Sequence, residues 1–162
     1  MYDDILLATD GQESNDRLLP YARDVATRHD ARVHGLYVVD DRAFFALDDD
    51  TRTSAADQLR AEGQRTTERL VADLESAGID ANRSVRRGDP AAEIVEYIET
   101  RSVDLVVMGT RGDQPAENML GSTAQQVVSS SPVPVLTVPI PTDSDYCRSV
   151  PDRPHDVVRS DR

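Results

Sequence analysis

There is no lysine in this chain of 162 residues. All 18 basic residues are arginine, set against 30 acidic ones (22 aspartate, 8 glutamate), for a net charge of −12. The absence removes whole reaction classes: a Walker-type phosphate loop needs a lysine on the β- and γ-phosphates, and a pyridoxal enzyme needs one for its Schiff base. Cysteine is nearly absent too. The single Cys147 excludes an internal disulfide and any multi-cysteine metal site. His29, His34 and His155 have no ligand spacing and are read as satisfied or solvent-facing, which leaves no metal site in view. Tryptophan is missing and phenylalanine occurs only at Phe44 and Phe45.

Long apolar runs are also lacking. None approaches the ~18 residues of a membrane span, and the start MYDDILLATDG has neither the basic lead nor the apolar core of a signal peptide. The expectation is a soluble, cytoplasmic protein with no membrane partner. The negative charge argues against nucleic acid, which calls for a basic face. A lysine-free acidic surface is similar to that of halophilic proteins. It repels itself at low salt, so the fold is expected to need about molar salt.

What is present is an alternation of strand and helix signals with short connections, the pattern of an α/β doubly wound parallel sheet. Ile5–Thr9 is a short apolar run closed by Asp10-Gly11, followed by an amphipathic helix over 14–30 with Leu18, Tyr21, Ala22, Val25 and Ala26 on its inner face. Val33–Val39 is a second strand closed by Asp40-Asp41. An excursion over 42–50 carries both phenylalanines, read as a lid on the core, with a ligand-facing role as the alternative. A long helix over 53–77 buries Leu59, Thr66, Leu70 and Leu74 and stops at Gly78. Ala81–Arg87, loaded with Arg83, Arg86 and Arg87, suits an edge strand. Asp89 caps a third helix with Pro90 at its first position; Ile94, Val95 and Ile98 face inward, and Glu93, Glu96 and Glu99 face water. Val103–Met108 and Val133–Val138 are the last strands, with a helix over 122–130 between them. The expected architecture is one five-stranded sheet of order 3-2-1-4-5 with helices on both faces, spanning 1–139. A polar, proline-dotted tail follows over 140–162.

In a sheet of that order, ligands sit outside the carboxyl ends of the strands where the winding reverses, here between strands one and four. Asp10 ends the first and Gly109 the fourth. After Gly109 come Arg111, Gly112 and then Gly121-Ser122-Thr123, which opens a helix. Strand, glycine loop and helix start make a phosphate cradle, because the first helical N–H groups are unpaired and stand at the positive end of the dipole. The bland alternative is a strand-to-helix turn that holds nothing.

The order of elements and the motif Gly109-x2-Gly112-x8-Gly121-Ser122 resemble the universal stress protein family from Asp3 to Pro139. Nucleotide-binding members of that family carry nine residues in the second spacer, where this chain has eight, Asp113 to Leu120. The resemblance implies ATP, or ADP or AMP, in the crevice, with magnesium or manganese carried on the phosphates. It implies Asp10 and the backbone of Ala8 and Thr9 at the adenine, and the backbone of Val38 at its edge. Met108 and Gly109 would run along the ribose, and Arg111, Gly112, Gly121, Ser122 and Thr123 would meet the phosphates. It implies, further, a homodimer in which the fifth strand pairs with its symmetry mate.

Two readings stay open beside a nucleotide-binding stress regulator. The shortened loop, with Asp113 and Glu117 in it, favours a dimeric interaction module that holds no nucleotide. An enzyme of the wider adenine-nucleotide hydrolase superfamily lacks its motif here, because Asp10-Gly11-Gln12-Glu13 stands where a serine-glycine-glycine segment would be. No paired nucleophile and base is visible, and no catalytic residue is expected. A receiver domain, similar in size and winding, would need a lysine near its last strand.

Overall fold

The computed structural model describes residues 1–110 and 120–140. Five strands, β1 (Asp4–Thr9), β2 (Arg32–Asp40), β3 (Ala81–Gly88), β4 (Leu105–Thr110) and β5 (Val135–Pro139), form one sheet of order β3-β2-β1-β4-β5. Every pairing is parallel. The helices are α1 (Gln12–His29), α2 (Asp49–Ser76), α3 (Pro90–Arg101) and α4 (Ser122–Ser130), with a 3-10 turn over Asp41–Phe44.

Alternation along the strands divides the core into two layers. Ile5, Leu7, Val33 and Val107 face α1 and α2, meeting Leu18, Ala22, Leu70 and Leu74. Leu6, Leu36 and Val106 face α3 and α4, meeting Ile94, Ile98, Ala124 and Val127. The helices begin and end where local chemistry directs. Asp89 accepts the Ala92 N–H at 3.0 Å ahead of Pro90, and Gly78, at φ 77°, ends α2 in the left-handed region.

Several expectations change. Tyr21 is 48% exposed, because it stands at the rim of the α1 stripe that Leu18, Ala22 and Ala26 bury. Phe44 is buried but Phe45 is 73% exposed, since adjacent residues on a tight turn point apart. Glu93 turns to the sheet rather than to water, with its carboxylate 3.4 Å from the Arg86 guanidinium. Ile140, assigned to the tail, belongs to the packed domain: it is buried, and its N–H donates to the Thr110 carbonyl at 3.1 Å.

The amino ends of the central strands are closed by side chains. The Asp104 carboxylate accepts the N–H groups of Asp3 (2.8 Å) and Asp4 (3.0 Å), and these two bonds hold its pKa below the ordinary carboxylate range. His34, buried on β2, lies between the Asp4 carboxylate (2.8 Å) and the hydroxyl of buried Tyr97 (3.1 Å). It is the satisfied histidine the sequence suggested, and Arg86 lies over the Tyr97 ring.

Candidate functional site

The carboxyl ends are built differently. A cavity of about 410 Å³ opens over the ends of β1, β2 and β4, within the size range of small-molecule sites. Ala8, Thr9, Asp10, Val38, Met108, Gly109, Gly121, Ser122 and Thr123 all line it. The crossover order makes this convergence: β1 and β4 are neighbours, and their connections leave to opposite faces of the sheet. Arg111 and Gly112 lie outside the described residues, as does most of the loop spacer.

On the β1 side the turn into α1 is tied locally. The Thr9 hydroxyl donates to the Gly11 carbonyl at 3.0 Å and accepts the Gly11 N–H at 3.2 Å. The Asp10 carboxylate accepts the Ser14 hydroxyl, so Asp10 grips the helix from outside while the α1 N-cap is Gly11, which has no side-chain cap. Ala8 and Val38 pack on the α3/α4 layer of the core and give the cavity an apolar wall together with Leu36, Pro90 and Ile94.

On the β4 side, Gly109 is bare for a reason internal to the fold. A Cβ there would overlap Ile140 Cδ1, so Ile140 fills the space the missing side chain leaves. Gly121 precedes α4 at φ −57° and ψ 157°, angles open to any residue; its backbone conformation does not call for glycine. Among the described residues no side chain caps α4. Its first backbone bond runs from the Gln125 N–H to the Gly121 carbonyl at 2.9 Å. The N–H groups of Ser122, Thr123 and Ala124 therefore have no intrahelical acceptor, and these three residues line the cavity.

The sequence reading missed several walls. Asp40, taken only as a turn residue, lines the cavity as a second carboxylate beside Asp10. Arg42 clamps it through Nε (2.9 Å), Nη2 (2.8 Å) and its own N–H (3.0 Å), and this pairing pulls its pKa below the ordinary value. The same guanidinium reaches Asp89 at 2.9 Å, which ties the 3-10 turn to the start of α3. Leu59, expected in the core, is half-buried and lines the cavity, and the buried Tyr37 and Ile140 line it as well. Tyr37 has a raised pKa, first through burial and then through the negative fields of Glu62 and Asp10.

The cavity is thus polarised. Carboxylates stand at the ends of β1 and β2, and the positive end of a helix dipole stands on the β4 side. A ligand with an anionic end and an uncharged end has one favoured direction in it. Among the described residues no cluster of three or more His, Cys, Asp or Glu could hold a metal ion. No described helix is long and apolar enough to cross a membrane.

Comparison with known proteins agrees with this architecture. The family described as the Universal stress protein family matches residues 1–139. The universal stress protein MJ0531 of Methanocaldococcus jannaschii is 34% identical over 143 residues, covering 87% of this chain and 84% of that protein. Among solved structures, MJ0577, a universal stress protein of the same organism, aligns with a TM-score of 0.75 at 28% identity, covering 88% of this chain and 99% of that one. A universal stress protein family protein of Arabidopsis thaliana, solved with AMP bound, shares the fold at a TM-score of 0.66 and 18% identity, over 88% of this chain and 94% of that one. With its fold and its sequence from the first residue to Pro139 in agreement, this chain belongs to the universal stress protein family.

Proposed function

We propose that the cavity binds ATP or another adenine nucleotide and that the protein works as a stress-linked sensor or regulator, not as an enzyme. The observation that carries this reading is the polarity of one cavity: uncapped helical N–H groups on its β4 side, carboxylates at the ends of β1 and β2. Phosphate belongs on the first turn of α4, where dipole and donors favour it. Asp10 and Asp40 repel phosphate and accept from ribose hydroxyls or an exocyclic amine, and the wall of Leu36, Val38 and Ile94 suits the faces of a base. The Arabidopsis thaliana protein that shares this fold was solved with AMP bound, which supports an adenine nucleotide as the ligand. Magnesium or manganese would come in on the phosphates, with no protein ligand needed for it.

Gly109 and Gly121 line the cavity and stand at the two ends of the β4–α4 connection. Occupancy therefore acts on both anchors of that connection, the natural route by which a ligand alters a surface that a partner protein reads. β5 is an edge strand with half-buried Val135 and Leu136, and pairing with a second copy would cover it.

One observation favours the second reading, a dimeric module without nucleotide: the bare face of Gly109 is filled by Ile140 and not left for a ligand. Calorimetry with ATP and AMP, with Mg²⁺ or Mn²⁺ at ~2–3 M KCl to screen the acidic surface, separates the two. Saturable heat at one site per chain is expected, lost in Gly121→Val, whose added bulk enters the phosphate side. A folded protein with no heat and no co-purified nucleotide would leave the interaction module. The same samples are expected to scatter light at twice the 17.9 kDa chain mass; a clean monomer would refute the β5 pairing.

A further inference from the structure

Tyr37 borders the cavity without a task in the site described above. Its ring lies on the α2 side of the sheet, clustered with Val39, Phe44 and Ala56. The middle of α2 makes room for it with a glycine, since a Cβ on Gly63 would lie 2.5 Å from Tyr37 Cδ1 and 2.9 Å from Cγ. The ring is thereby fixed in place, with 5% of the residue accessible. Among the described residues its hydroxyl makes no hydrogen bond. An enclosed tyrosine hydroxyl ordinarily finds a partner; among the described residues the fully buried side-chain atoms without one are Asn15 Oδ1 and Arg23 Nε, so the Tyr37 hydroxyl is not sealed off, and the open space that Tyr37 lines is the cavity.

Charge settles what the hydroxyl offers. With burial and two carboxylate fields acting on it, the phenol stays neutral and keeps its proton. It is available as a donor. Strand order settles which part of a ligand it meets. β2 lies two strands from β4, about 10 Å away at the usual spacing, and α4 opens on the β4 side. A nucleotide with its phosphate on α4, turned away from Asp10 and Asp40, brings its base to the end of β2.

We propose that the Tyr37 hydroxyl is a specificity-determining donor, giving a hydrogen bond to a ring nitrogen of the bound base. The proposal rests on the nucleotide reading above. A base that presents no acceptor at that point leaves the hydroxyl unpaired and is disfavoured.

The test is calorimetry of the wild-type chain and Tyr37→Phe with AMP and its 1-, 3- and 7-deaza analogues, each of which replaces one ring nitrogen by CH. Wild-type binding of AMP reports on the nucleotide reading itself; without it both readings fall. Given that binding, Tyr37→Phe is expected to bind AMP about three- to tenfold more weakly, the loss of one hydrogen bond. In the wild type at least one deaza analogue is expected to bind more weakly by a similar factor, and that difference should vanish in the variant. A structural role would move the melting temperature but leave the analogue pattern intact. AMP affinity unchanged in Tyr37→Phe, or every analogue penalty surviving the substitution, overturns the proposal. Should the variant fail to fold, the wild-type series decides: one weakened analogue supports the assignment, and three analogues bound like AMP end it.

Discussion

The two ends of this sheet treat their polar groups in opposite ways. At the amino ends, side chains satisfy one another: Asp104 takes the N–H groups of Asp3 and Asp4, and buried His34 joins Asp4 to Tyr97. At the carboxyl ends the same strands finish on Asp10, Asp40 and Gly109, beside a helix start and a tyrosine hydroxyl for which no described side chain supplies a cap or a partner. Both ends carry the same kinds of residue, so composition does not explain the contrast. The difference lies in the connections, which return a partner to the amino ends and hold α1 and α4 apart at the carboxyl ends. Asp10 and Asp40 are held by Ser14 and Arg42 yet still line the cavity, while among the described residues the first N–H groups of α4 and the Tyr37 hydroxyl have no side-chain partner there, as expected of a functional site in a fold whose levels otherwise agree.

The strongest way to break the contrast is to open the closed end. His34→Phe keeps a ring of similar size but removes both hydrogen bonds, leaving the Tyr97 hydroxyl unpaired at 1% exposure of its residue. Asp4, 28% exposed, can rehydrate in part. One orphaned buried hydroxyl and one weakened carboxylate contact cost about 2–3 kcal/mol together. Urea unfolding at fixed KCl should show this loss, and Tyr97→Phe added on top should cost less than it does alone, because the two side chains share one bond. A loss below ~1 kcal/mol would mean the triad is incidental to stability.

This asymmetry was only partly written in the sequence. Signals that act within one turn were legible: Asp89 before Pro90, Gly78 after α2, and the span of α4 from Ser122 to Ser130 all stand as read. Alternation with short connections pointed to a doubly wound sheet, and the strand order read for it placed Asp10 and Gly109 at one crevice. What escaped depends on distant partners. Glu93 looked like a water-side residue until β3 brought Arg86 to it. Leu59 read as core because its periodicity is that of a core residue, and Tyr37 was only one position of a strand; no periodicity tells that a cavity begins there. The space for the Tyr37 ring is supplied by Gly63, 26 positions later and in mid-helix, where glycine merely looks unfavourable.

That glycine offers a milder way to sharpen the contrast, now at the open end. In Gly63→Ala two effects oppose. Alanine is about 1 kcal/mol better than glycine inside a helix, but its methyl would press on the Tyr37 ring, an overpacking worth ~1–3 kcal/mol. The contact distance of 2.5 Å is too short to relax without moving the ring. A net loss of about 1 kcal/mol is expected, with a disproportionate fall in nucleotide affinity as the hydroxyl leaves its place. A gain in stability with affinity intact would show that the ring is not held from α2.

The smallest effect is expected at Asp104, and its sign depends on pH. Its carboxylate is stabilised in the folded chain by the N–H groups of Asp3 and Asp4, so its pKa is lower folded than unfolded. A group depressed in this way contributes stability above its unfolded pKa, near 4, and loses it as pH falls through the folded value. Asp104→Asn keeps an acceptor for the two N–H groups but not the charge. At neutral pH, in water and salt that screen a partly exposed group, the substitution is expected to cost less than about 1 kcal/mol. Its mark should appear in acid: between about pH 5 and 2 the wild type loses stability faster than the variant, and the two curves converge. Parallel curves across that range, in urea titrations at fixed KCl, would mean that the amino end is closed by shape and neutral hydrogen bonds, with the charge of Asp104 adding nothing to it.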